Sequence, residues 1–245
     1  MSLPADFDPT PLKTAKLPAL EVDPIYGVLP FEGAINPLSR SNTAHRVSMA
    51  FATPATQGQR KVYHFASEAE SAVALVALLS PDFYGLEVQL PAITYYLPGS
   101  KKSHDHFFDL RVTFRNGFRR AIYVKGGSQL RTKKIQDEFN AICEWTPQHF
   151  ADQVIPVNGD DFTRAYRDNL RRALYFHQLK EPEADDHVEA VARNSSFWLL
   201  QDLIDKCDLE PVVSYRSAVR LIARGVIGAN WHAVINVYSR VWLNG

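Results

Sequence analysis

His104-Asp105-His106-Phe107-Phe108-Asp109-Leu110-Arg111-Val112, followed by Arg115-Asn116-Gly117 and then Ala121-Ile122-Tyr123-Val124-Lys125, reads as a β-hairpin. Asn-Gly between two apolar runs is the strongest short-range hairpin signal. Strand alternation puts Asp109 on one face with Phe107 and Arg111, and Phe108 and Leu110 on the other. A carboxylate in an apolar strand is costly unless it is paired or binds a cation. Lys125 ends the return strand just before Gly126-Gly127. A salt-bridged Asp109 and a solvated, strand-end Lys125 explain the same residues without any chemistry.

Upstream, Ser67-Glu68-Ala69-Glu70 has the form of a capping box and opens a helix that ends before Pro81. Glu70 shares a helical face with Val73, Ala74 and Ala77, so it should turn inward. Glu68 lies on a different face. The cap alone accounts for Glu70, and an inward functional carboxylate accounts for it equally. Strands are expected at 45–51, 60–65, 87–91 and 92–97, with a basic turn at Pro98-Gly99-Ser100-Lys101-Lys102. Downstream, 132–144 reads as a helix, 152–157 as a last strand and 160–178 as another helix. The plan is α/β, a mixed sheet flanked by helices.

Residues 1–40 hold many prolines and read as an extended N-terminal arm, ordered by packing on a partner. The second unit, 41–180, carries the sheet. A boundary falls near Lys180-Glu181-Pro182-Glu183. Residues 181–245 read as short helices at 188–192, 197–204 and 215–224, then strands at 226–231 and 237–242. Three helices and a small ribbon give a winged-helix outline.

The chain has 245 residues, with 46% hydrophobic and 22% charged. No apolar run reaches the roughly 18 residues of a membrane span, and the first residues lack a secretory pattern. Cys143 and Cys207 form no CxxC pair and read as small buried hydrophobes. A reducing cytoplasm is the expected compartment. Net charge is zero, yet unevenly spread. Residues 101–134 carry ten Lys or Arg against Asp105 and Asp109; 181–210 carry nine carboxylates against Arg193 and Lys206; 212–245 carry four arginines and no acid. Two basic zones offer two places to touch phosphate. Lys101, Lys102, His106, Arg119, Arg120, Arg131, Lys133 and Lys134 are the expected DNA contacts.

Phosphodiester cleavage needs an activated water and a stabilised leaving oxyanion, which divalent cations held by carboxylates supply. Magnesium is content with two carboxylates, a carbonyl and water. A lysine nearby can steady phosphate charge. Glu70, Asp109 and Lys125 have the residue types for this. His104 and His106 share a strand face, but no third nitrogen or sulfur ligand is in register for zinc.

These segments resemble, in order, the TnsA-type endonucleases of Tn7-like transposons, whose nuclease domain is restriction-endonuclease-like. His45-Arg46-Val47 resembles the strand before the catalytic helix, and Ser67-Glu68-Ala69-Glu70 the helix start whose second acid is catalytic. Val88-Gln89-Leu90-Pro91 resembles the Gln-x-Pro segment, His106-x-x-Asp109 the H-x-P-D motif, Tyr123-Val124-Lys125 the Gln-x-Lys motif, and Ala218 to Tyr238 the C-terminal winged-helix module. The resemblance implies Glu70 and Asp109 as ligands of Mg²⁺ or Mn²⁺, Lys125 as the polar catalyst, and Gln89 and Tyr123 as motif positions. It also implies DNA, an integrase-type transposase subunit and an ATPase regulator as partners. Tyr123 departs from the family, because a phenol is a poor magnesium ligand. Two other readings stand beside this one: a catalytically impaired nuclease fold that binds DNA or serves assembly, and a stand-alone restriction or repair nuclease.

Overall fold

A computed structural model describes residues 18–39 and 45–245. The chain is α/β, with a mixed sheet and seven helices among the described residues. Strands β1 (Val47–Ala52) and β2 (Arg60–Phe65) form an antiparallel hairpin. Helix α1 (Glu68–Leu79) follows, then β3 (Phe83–Val88), β4 (Ile93–Tyr96), β5 (Ser103–His106), β6 (Leu110–Phe114) and β7 (Arg119–Lys125). The short α2 (Gly127–Leu130) and α3 (Lys133–Trp145) lead to β8 (Gln153–Asn158) and α4 (Arg164–Gln178). The main sheet has the order β3-β6-β7-β8. Its first three strands are antiparallel and β8 runs parallel to β7. A parallel neighbour needs a crossover, and α2 and α3 supply it.

The β6–β7 hairpin forms around Asn116-Gly117, with Gly117 at φ +84°, which glycine adopts without penalty. The expected single strand over 104–112 divides. Ser103–His106 pairs with β4, and Leu110–Phe114 pairs with β3 and β7. Gln89 and Leu90 still donate N–H bonds to the Asp109 and Phe108 carbonyls. Gln89 then turns through φ +50°, and Pro91 has no N–H to continue the ladder. The two sheets diverge there, and Asp109 stands at the fork.

Each face of β7 is buried. Ile122 and Val124 join the core under α1 with Phe65, Val73, Leu75 and Leu110. Ala121 and Tyr123 join a second core with Phe108, Ile142 and Tyr95, covered by α3 and β4. Residues 18–39 pack on their own chain: Leu29 exchanges backbone bonds with Arg60 and Val62, and Ala34 N–H donates to the Gln89 carbonyl. The remainder of the expected arm, 1–17 and 40, lies outside the described residues.

Beyond α4 come α5 (Pro182–Asn194), α6 (Leu200–Ile204), α7 (Pro211–Ala223) and an antiparallel ribbon of β9 (Ile227–Ala229) and β10 (Val241–Leu243). They enclose a cluster including Val188, Leu200, Leu203, Leu221, Ile227 and Val241. Tyr215 and Trp231 belong to this cluster and to the α1 core as well. Three of the four C-terminal arginines are engaged by carboxylates. Arg216 pairs with Glu181, and Arg220 and Arg224 pair with Asp185 at 2.6–2.7 Å. The acidic and basic segments neutralise each other across α5 and α7. Arg240 lies over the Trp198 ring. Cys207 is buried, Cys143 partly so, and both are free thiols. No described helix is long and apolar enough to cross a membrane.

Candidate active site

Glu70 lies in the first turn of α1 and is buried, 7% exposed. Ser67 caps the helix by accepting the Glu70 N–H at 3.1 Å. The reciprocal bond goes one residue further back than a capping box requires. Glu70 Oε2 accepts from Ala66 N–H at 2.8 Å, and Oε1 accepts from the Ser67 hydroxyl at 2.9 Å. The carboxylate is thereby turned back over the helix N-terminus, where negative charge is favoured. Gln89 Nε2 donates to the same Oε2 at 3.3 Å. A non-glycine residue in the left-handed region is uncommon and strained. Gln89 occupies it with its side chain on Glu70 and its N–H on the Asp109 carbonyl. One residue thus ties helix to fork.

Asp109 directly precedes β6. Its Oδ2 accepts the Val124 N–H at 3.2 Å, one residue before Lys125. Burial pushes the Asp109 carboxyl up to about 7, the neighbouring Glu70 charge adds to the rise, and the Val124 N–H and Lys125 oppose it. Burial raises Glu70 as well, against the Ala66 and Ser67 bonds and the charges of Arg46 and Lys125. Glu70 and Lys125 thus act on the charge of Asp109, and Lys125 acts on that of Glu70, although no ion pair joins the lysine to either carboxylate among the described residues. The two carboxylates suit a hard divalent cation, which would relieve their repulsion while keeping most of its water. Among the described residues no group of three or more His, Cys, Asp or Glu side chains is placed to hold a metal. The two carboxylates and nearby carbonyls are the donors available.

Lys125 leads into Gly126-Gly127, and the tight approach is at Gly127. A Cβ on Gly127 would meet Asn158 Oδ1 at 2.9 Å, and one on Gly126 would meet Asp160 Oδ1 at 3.4 Å. Asp160 Oδ2 accepts the Gly127 N–H at 2.7 Å. Gly159 sits against Ala69 of α1, where a Cβ would come within 2.9 Å. The 158–160 turn thus locks the end of β7 against the first turn of α1. Sequence reasoning missed this clamp; the Gly-Gly pair and the Asn-Gly-Asp turn were its visible signals.

His106 also reaches the site. Its ring packs on Tyr123 at 5.1 Å and edge-on to Phe108 at 4.6 Å. Its shielded Nε2 has no hydrogen-bond partner among the described residues. Burial, helped by Lys125, lowers it to about 4, so the ring is neutral at pH 7. His104 packs instead on Tyr95. Tyr123 is fully buried, and its hydroxyl donates to Glu138 of α3 at 3.3 Å. Arg119 and Arg120 do not join the site. They lie at the opposite end of β7, about 20 Å away at the usual strand rise, bonded to the His149 and Gln148 carbonyls and to Gln153. Lys101 and Lys102 are exposed before β5; Arg131, Lys133 and Lys134 are exposed where α2 meets α3. The chain matches no protein-family model and no curated protein.

Proposed function

We propose that this chain is a Mg²⁺- or Mn²⁺-dependent DNA endonuclease whose site is Glu70, Asp109 and Lys125. The supporting observation is the coupling of two carboxylates, Glu70 buried on a helix start and Asp109 half-buried at a sheet fork, beside the same lysine. Glu70 and Asp109 would hold the cation, which supplies Lewis acidity to water and to the departing oxygen. Gln89 and the Ala66 and Ser67 groups keep Glu70 oriented. The Lys125 ammonium donates to a non-bridging phosphate oxygen and steadies its charge. Arg131, Lys133 and Lys134 flank the same end of β7 and suit the DNA backbone.

The mixed sheet is compatible with a restriction-endonuclease-like domain, and the three C-terminal helices with their ribbon suit a winged helix. With the ordered motifs this favours a TnsA-like role, cutting transposon ends together with an integrase-type transposase and an ATPase regulator. The test is incubation with supercoiled and transposon-end DNA in Mg²⁺ or Mn²⁺. Cleavage lost in Asp109→Ala supports the reading; cleavage that survives the substitution overturns it.

One observation favours a second reading. Tyr123 directs its oxygen to Glu138, and a phenol adds little as a ligand. A nuclease fold retained for DNA binding alone would show steeply salt-dependent DNA binding and no Mn²⁺ uptake.

A further inference from the structure

Lys125 forms no ion pair among the described residues, although two carboxylates share its surroundings. Its Nζ lies instead over the Tyr123 ring, 5.0 Å from the centroid. Residues 123 and 125 alternate onto the same face of β7, so the strand itself stacks ammonium above ring. The ring is fully buried and fixed on every side. Phe139 of α3 packs at 5.6 Å, His106 at 5.1 Å, and the hydroxyl is anchored to Glu138. An ammonium over a desolvated ring face is attracted by the ring quadrupole, and a carboxylate at the phenol's far end enriches that face. We infer that Tyr123 is the positioning residue for Lys125: its ring, anchored by Glu138, holds the ammonium between ring and phosphate and keeps it from collapsing onto Asp109.

The alternative is that Tyr123 only fills the core beneath α3. The two roles differ in what Lys125 experiences. A held ammonium leaves the Lys125 ε-methylene in the shielding cone of the ring. A lysine that merely passes the ring is not shielded. The inference rests on the nuclease reading only for its catalytic consequence; the placement of Lys125 is read separately.

The experiment uses the full chain, with lysine ε carbons labelled with ¹³C and the Lys125 signal assigned by its loss in Lys125→Met. The expected result is an upfield-shifted Lys125 ε-proton signal in the native protein, weakened but present in Tyr123→Phe and Glu138→Gln, which loosen the hydroxyl anchor and keep a ring, and lost in Tyr123→Leu. Mn²⁺-dependent kcat should fall about tenfold in Tyr123→Leu, the loss expected of a desolvated cation–π contact, with KM nearly constant, and Phe should restore most of it. An unshifted Lys125 signal in the native chain overturns the inference without any variant having to fold. So does a folded Tyr123→Leu with native kcat. A shielded Lys125 in a chain that cuts no DNA upholds the placement and counts against the nuclease reading instead.

Discussion

Asp109 and His106 pull the pH dependence of folding in opposite directions. Asp109 is raised to about 7 in the folded chain, so the folded state holds more protons between pH 4 and 7. Its contribution to stability is complete below pH 4 and is lost as pH rises through 7. His106 is lowered to about 4, so the folded state holds fewer protons between pH 4 and 6.5. It destabilises at low pH, and that penalty fades as pH rises through 6.5. We predict that metal-free Asp109→Asn is more stable than the parent at pH 8, by roughly 1–3 kcal/mol. The difference between the two stability curves should vanish toward pH 4. His106→Gln should show the opposite difference, gaining stability at pH 4. Urea unfolding across pH reads both, with Mn²⁺ erasing the Asp109 gain. Asp109 was legible in the sequence because a carboxylate among Phe108, Leu110 and Val112 needs an explanation. Its position at a fork was not legible, because that depends on Gln89 adopting φ +50°.

Helix α1 illustrates how an element aims a side chain. Ser67 both accepts the Glu70 N–H and donates to the Glu70 carboxylate. Ser67→Ala should cost about 1 kcal/mol of stability as a lost cap, and should also weaken Mn²⁺ binding, which a cap alone would not do. Calorimetric titration and urea unfolding of the same variant separate the two effects. The turn after β8 holds the other end of the site. Gly159→Ala drives a methyl against Ala69 and should destabilise by roughly 1–3 kcal/mol, with loss of metal affinity as α1 shifts. The inward turn of Glu70 was legible from its helical spacing to Val73, Ala74 and Ala77. The clamp was not, since it joins residues 69, 127 and 159 through contacts that no local pattern encodes.

At the scale of the whole molecule, net neutrality conceals pairing as well as patches. Arg220 is 1% exposed and bonded to Asp185, Glu181 and Ser217. The charge blocks were visible in the sequence, but their mutual neutralisation was not, because α5 and α7 meet only in the fold. Asp185→Ala would leave the buried Arg220 guanidinium with Glu181 as its sole carboxylate partner among the described residues and should cost about 2–4 kcal/mol, visible as earlier melting; an exposed pair such as Arg193–Glu189 should cost well under 1 kcal/mol. In the proposed nuclease the DNA backbone would meet the basic flank at Arg131, Lys133 and Lys134 beside the site, where Lys133 also pairs with Asp137. The working groups of that proposed nuclease lie at one end of the sheet, around a cation that Glu70 and Asp109 would hold. Soaking crystals with Mn²⁺ and recording its anomalous scattering tests this most directly. The account predicts a peak between the Glu70 and Asp109 carboxylates that disappears in Asp109→Asn; no peak there, or one that persists in the variant, would contradict it.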